Sequence, residues 1–482
     1  MLRRSFLNSL AAAPAAGLVR FPCGWVAGAF AQTRGMPEAA PFQPSEPANS
    51  PIGVSRAIHP GRVVWVRDAG ATSWDGQTGH WWDDACTDQR VVDRMTSRLL
   101  QEVTGRQNGR QAWDALFRSF NQNHKLGNSG YRPGERIAIK INANQDRGPD
   151  WANMFRPFGR PPAGANRAGT PPEATRGGGP PRGGVQTAPL NGLPSPHAVA
   201  ALVSQLINVA GVRGEDIVIF DVAVGRNIGQ PIYSRIRANP DRNFQAVNFL
   251  ASEDYGLGGR IFPDVDKANP IQFGKPEIPT AYLPRQVTEA KYLINMALLR
   301  PHGMAGVTLI GKNHFGAVHF PDDGGWIPAP LHPYVARTQP MGSYNALVDL
   351  IGHRHLGGKT MLFVLDGLYT AAHNESNVFR WQSFGDRWAS SLLMSQDPVA
   401  LDSAGLDILR SEPRATEVRG HAENYLHEAA LAAKPPSGTV YNPDRGGALS
   451  SLGVHEHWNN PTERKYSRNL GRKEGIELIA FA

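Results

Sequence analysis

Cysteine is nearly absent: the 482-residue chain holds 2, Cys23 and Cys86, which excludes a disulfide-stapled scaffold. Charge is sparse, at 19% of residues. No apolar run reaches the roughly 18 residues of a membrane-spanning helix, in keeping with a mean hydropathy of −0.36. No G-x-G-x-x-G, P-loop or G-x-S-x-G motif is found, so nucleotide binding and serine-hydrolase chemistry have no support. No collagen-like period or solenoid-length repeat is visible. What is plentiful is glycine and proline, 52 and 39, beside 41% hydrophobic residues. That is enough for a large core and too apolar for a wholly disordered chain.

The net charge of +8 suggests a polyanion partner until it is located. Arg3, Arg4 and Arg20 give residues 1–31 a charge of +3, and six arginines against Asp150 and Glu173 give residues 147–189 a charge of +4. The rest of the chain is nearly neutral, so no nucleic-acid face is expected.

The first of these basic segments has the order of an export signal. Arg3-Arg4 is followed by a weakly apolar stretch from Leu7 to Val19 and by Ala29-Phe30-Ala31 as an A-x-A cleavage site. Arg3-Arg4-Ser5-Phe6-Leu7 resembles the twin-arginine motif. That resemblance implies the twin-arginine translocation machinery as a partner and a periplasmic or extracellular destination, with no transmembrane segment left after cleavage. Cleavage removes Cys23, and the single Cys86 cannot hold a Cys-ligated iron–sulphur cluster, so none is expected.

Residues 32–60 read as a linker and residues 61–482 as one large α/β domain. Arg62 to Val66 predicts a strand. Thr87 is placed to cap a helix over 88–104, and a second helix covers Ala112 to Phe120. Ile137, Ile139 and Ile141 alternate as in a strand. Nine prolines and nine glycines make residues 147–189 a disordered surface insertion. Beyond it, a helix from Pro196, the strand Asp216 to Val222, the strand Tyr292 to Leu298, a helix over Ser343 to Ile351 and the strand Thr360 to Leu365 follow in turn. A further strand, 391–395, leads to Asp397-Pro398, cap and first-turn proline of the helix to Leu409. Strand, helix, strand in this order predicts a mostly parallel sheet flanked by helices. The last 50 residues read as a loop-rich tail.

In such sheets ligands bind beyond the carboxyl ends of the strands. Lys140 and Asn142, Asp221, Arg300 and His302, Asp366, and Asp397 all stand at strand ends, although acids and amides gather there in ordinary turns too. The densest stretch runs from Arg300 to His319, with His302, His314 and His319, Lys312 and Asn313, and four glycines. A lysine in such a setting can bind an anion, act as a base or carry a cofactor. His302, His314 and His319 can ligate a metal, although their spacing matches no dedicated zinc pattern. His353-x-His355 and His455-Glu456-His457 each put two imidazoles on one face of an extended chain. Trp65, Trp74, Trp81 and Trp82, near Asp83 and Asp84, suit sugar stacking or an ordinary core.

The segment from His302 through Lys312-Asn313-His-Phe315-Gly316, then Asp366-Gly367, then Ser395-Gln-Asp397-Pro398-Val-Ala-Leu-Asp402, resembles the family called domain of unknown function 362. Lys140-Ile141-Asn142 is similar to that family's "KPN"-like triplet. The resemblance spans roughly 61–146 and 190–410, and the tail from Leu452 to Gly471 is similar to an exported subgroup. It implies a fold and a site more than a reaction. The spacing of His302 and Lys312 is also similar to that of the lactate racemase family, where the lysine tethers a nickel-pincer nucleotide.

The resulting expectation is an exported cofactor- or metal-dependent enzyme for a small anionic substrate. His302 and Lys312 are its catalytic pair: Lys312 holds the anion and His302 transfers protons. Lys140, Asn142, Asp221, Asn313 and Asp366 bind substrate, and His314, His319, Asp397 and Asp402 hold a metal ion. The alternatives are a non-catalytic periplasmic ligand-binding or accessory protein, and a carbohydrate-binding or racemase-like one.

Overall fold

Runs of apolar residues buried on both faces make the strands of this protein, and capped amphipathic segments make its helices. The computed structural model describes residues 39–144, 194–223, 228, 230–252, 258–321, 325–373 and 376–481. The segments read as a signal, 1–31, and as an insertion, 147–189, lie outside the described residues. In order the elements are β1 (Ile52–Gly53), β2 (Arg62–Arg67), α1 (Gln89–Thr104), α2 (Gly109–Asn123), β3 (Ile137–Lys140), α3 (Pro196–Ser204), β4 (Ile217–Asp221), α4 (Gln230–Arg237), α5 (Arg242–Gln245) and β5 (Asn248–Ala251). Then come β6 (Val265–Ile271), β7 (Ala281–Pro284), α6 (Arg285–Thr288), β8 (Tyr292–Leu298), β9 (Arg300–His302), β10 (Gly306–Thr308) and α7 (Ile310–Asn313). The chain ends with α8 (Ala346–Gly352), β11 (Thr360–Gly367), β12 (Ser391–Ser395), α9 (Pro398–Arg410), α10 (Asn424–Ala430), β13 (Val454–His455) and β14 (Glu477–Phe481).

Eight strands form one sheet in the order β14-β2-β12-β11-β8-β3-β4-β5. Its neighbours pair in parallel except at β12, which runs antiparallel to both β2 and β11. The fold is therefore α/β with a mostly parallel sheet. Alternation divides each strand between two cores: Ile137, Ile139, Tyr292 and Ile294 pack with α1, α2 and α3, whereas Ala138, Leu293 and Leu365 pack with α7 to α10. Each fully buried Ile or Leu contributes about 1.5–3 kcal/mol to that sandwich.

Two local expectations change. Asp88, not Thr87, caps α1: its carboxylate accepts from Arg90 N and Val91 N, and Gly105 ends the helix in the left-handed region at φ 65°. The tail is loop-rich, as expected, and ends in β14, which pairs in parallel with β2. Residues 39–60, read as part of a linker, pack onto the body: Phe42 is buried and Ile52 pairs with His455. No helix among the described residues is long and apolar enough to cross a membrane.

Candidate functional site

At the carboxyl end of β8 the chain turns at once into the β9–β10 hairpin, where His302 pairs with Gly306. Gly306 has φ 83°, and a Cβ there would lie 2.4 Å from the Ala422 side chain, so only glycine fits. The turn α7 follows. Its first N–H groups have no helical partner, and the Asp402 carboxylate supplies one, accepting from Ile310 N at 2.8 Å and Gly311 N at 2.9 Å. Asp402, read as a metal ligand, thus holds the backbone that presents Lys312 and Asn313. Burial pushes its carboxyl up to about 7 against those bonds.

Beneath this turn lies a buried polar floor. Lys140 and Asn295 are register partners on β3 and β8, on the face that carries α7. Lys140 Nζ lies 3.3 Å from Asn313 Oδ1 and 3.4 Å from Asp221 Oδ2, all within the interior. Asp221 also accepts from Ala143 N at 2.8 Å. Asn313 Nδ2 donates to Asn295 Oδ1 at 2.7 Å, and Asn295 Nδ2 donates to the His314 ring at 3.0 Å. Burial, then the Lys140 charge, lowers His314 to about 3, so it is a neutral acceptor. Asn142 Oδ1 accepts from Asn144 N, closing the turn after β3. The structure thus brings Lys140, Asp221, Asn313 and His314 together, and adds Asn295. An amide inside the apolar run Tyr292 to Leu298 was the signal for that residue.

Above the floor stands a cationic rim. His302 is held far below the ordinary histidine range, first by burial and then by Lys312, Arg300, His332 and Arg337. Lys312 Nζ sits 3.3 Å from the centre of the Phe315 ring, a cation–π contact. His332 packs on the same ring at 5.1 Å and is lowered to about 3 by burial and the Lys312 charge. Arg337 pairs with Glu417 at 2.7 Å. His302 Nδ1 accepts from Met304 N at 3.0 Å and Ala305 N at 3.2 Å. A backbone N–H can only donate, so the neutral ring carries its hydrogen on Nε2. This alters the expected role. His302 is set to donate to a ligand, and a proton taken up at Nδ1 would displace two backbone bonds.

Other expected residues go elsewhere. Asp366 is at the same edge, accepting from Ser195 N at 2.6 Å and Leu368 N at 3.0 Å, and burial raises it to about 6. Asp397 is not at this sheet edge. Because β12 runs antiparallel, it starts opposite Gly367, the carboxyl end of β11, and runs back to pair Ser395 with Phe363, so Asp397 follows toward the opposite sheet edge. There it caps α9 through Val399 N and Ala400 N and accepts from Arg56 N. His319 packs edge-on against Trp326, its backbone bridging to Tyr282. His314, His319, Asp397 and Asp402 therefore do not form a metal site. Nor do the tryptophans form a sugar platform: Trp65, Trp74, Trp81 and Trp82 are buried, with Trp74 stacked on Trp388 at 5.5 Å.

One other group has metal-ligand chemistry. Among the described residues, Glu423, His455 and His457 offer donor atoms within 4.8 Å of one another, all buried, and can hold a metal ion. His455-x-His457 was visible in the sequence. Glu423 was not, since nothing local marks the start of α10 as its partner.

Residues 188–407 match a family model, Domain of unknown function (DUF362). The match supports the resemblance carried by the motifs. It takes in His302, Lys312, Asn313, Asp366, Asp397 and Asp402, and covers less than half of the chain. Lys140 lies before the matched stretch and the Glu423–His457 group after it. No curated protein matches the chain.

Proposed function

We propose that the chain is an exported enzyme of the domain of unknown function 362 type. Its crevice takes a small anionic substrate, and neutral His302 stabilises negative charge on it by donating from Nε2. The observation that carries this reading is an imidazole whose Nδ1 is occupied by two backbone donors, set near the positive charges of Lys312, Arg300 and Arg337. A neutral imidazole amid cations is suited to polarising a carbonyl or an oxyanion, because it donates without adding a competing positive charge. Lys312 draws the anion in, and the Lys140–Asp221–Asn313 floor fixes the turn beneath it. Asp366, at the neighbouring strand end, borders the same edge.

The test uses the mature protein and two small probes, sulfate and oxalate, followed by calorimetry. Binding that Lys312→Ala and His302→Ala both weaken supports the reading. Equal affinity in wild type and both variants removes it. Turnover of a carboxylate or phosphate library separates an enzyme from a protein that only holds its ligand. Export is tested by fractionation and intact mass: a chain beginning at Gln32, absent when Arg3 and Arg4 are both changed to lysine, is the expected result.

A further inference from the structure

We infer that Glu423, His455 and His457, with His427 beside them, form a buried structural site for a divalent transition-metal ion of the zinc class, separate from the proposed anion site. Glu423 stands at the start of α10 and His427 one turn later, while His455 and His457 lie two residues apart on an extended segment. All four side chains are buried. Glu423 Oε2 is 2.7 Å from His457 Nε2 and 3.9 Å from His455 Nε2, and Glu423 Oε1 is 4.0 Å from His427 Nε2. These separations bracket the ~3.3 Å between donors set about 2.0–2.1 Å from a tetrahedral ion.

The outer contacts fix which ring nitrogen faces inward. The Ser403 hydroxyl has one proton, and Val399 O, an acceptor at 2.7 Å, takes it. The 2.8 Å contact between Ser403 Oγ and His455 Nδ1 must then be donated by the ring, which leaves Nε2 a bare lone pair. His457 Nδ1 lies 2.7 Å from Asp407 Oδ1, the carboxylate–imidazole pairing typical behind a metal ligand. Asp407 is itself held by Trp458 N and the Tyr466 hydroxyl.

A buried ion pair of His457 with Glu423 and Asp407 is the competing explanation. It accounts for His457 alone. His427 Nε2 and His455 Nε2 are buried and have no hydrogen-bond partner among the described residues, although both approach the Glu423 carboxylate. A metal ion satisfies both at once. Imidazole donors favour a transition metal over calcium or magnesium, and the burial of the whole group describes a structural site.

Elemental analysis of the purified mature protein should find about one metal ion per chain. A strong chelator should remove it with a fall in Tm, and zinc chloride should restore both. His455→Ala and His427→Ala should lose the metal, whereas His319→Ala should keep it. If the variants do not fold, titration of the chelated wild type with zinc and cobalt chloride decides. Wild-type protein whose Tm ignores the chelator and that binds neither ion overturns the proposal. Sulfate and oxalate binding is a separate measurement, so failure here leaves the crevice reading standing.

Discussion

The Tyr425 hydroxyl donates to Asp402 Oδ2 at 2.9 Å in the interior. Through this bond α10, which carries His427 two residues on, is tied to the carboxylate that holds Ile310 N and Gly311 N. Tyr425→Phe removes one donor from a buried acceptor and should cost about 1–3 kcal/mol. Calorimetric unfolding should show a Tm lower by a few degrees, with sulfate affinity reduced because the Lys312 turn is less firmly held. An unchanged Tm would mean that the bond does not brace the turn.

Anion binding should respond to charge but not to His302 titration. Lys312→Ala should weaken sulfate about 10–100-fold, and His302→Ala about 10-fold. Because His302 is held far below its ordinary range by burial and by Lys312, it is neutral throughout the physiological range. Sulfate keeps its charge there, so its affinity should be flat between about pH 6 and 8. Affinity that declines steeply above about pH 6.5 would mean a cationic imidazole and would remove the proposed role.

Asn295 completes the floor with three contacts: Asn313 Nδ2, the His314 ring and Ile310 O. Asn295→Leu keeps the branched shape but strands these polar groups in the interior. Each unsatisfied group costs about 1–3 kcal/mol, so urea midpoints should fall well beyond the effect of a surface change. A variant as stable as wild type would show that the floor can rearrange.

Much of the sheet was legible because β3, β4, β8, β11 and β12 are apolar runs flanked by turn residues. Their neighbours α1 and α9 announce themselves by cap and periodicity. Strand direction is another matter. Nothing in Ser391–Ser395 says that it pairs antiparallel, and that one reversal carries Asp397 to the far edge of the sheet. The polar grouping beyond β8 was legible in part, through Lys312 and His302, since a glycine-rich hairpin concentrates polar residues within one short stretch. His332 and Arg337 reach it from a later loop, and Glu423 meets His455 only because α10 and β13 pack together. Contacts between distant segments leave no local trace in one sequence.

The carboxyl of Asp402 should make stability fall as pH rises through mild acidity. Two effects oppose each other there. Burial disfavours the charged form, while Gly311 N, Ile310 N and the Tyr425 hydroxyl favour it; burial prevails, and the folded value stands at about 7. The unfolded chain titrates near the ordinary value of 3.8. Between these values the native state holds more protons than the unfolded one, so stability declines with pH at a slope approaching about 1.4 kcal/mol per unit. Below the lower value the contribution is fully present, and above about 7 it is gone. Asp402→Asn removes this titration. Urea unfolding of both proteins from about pH 4 to 8 should show the wild type losing ground to the variant until it levels near neutrality. If wild type instead gains on the variant as pH rises, the three donors outweigh burial, and Asp402 is a carboxylate even in mild acid.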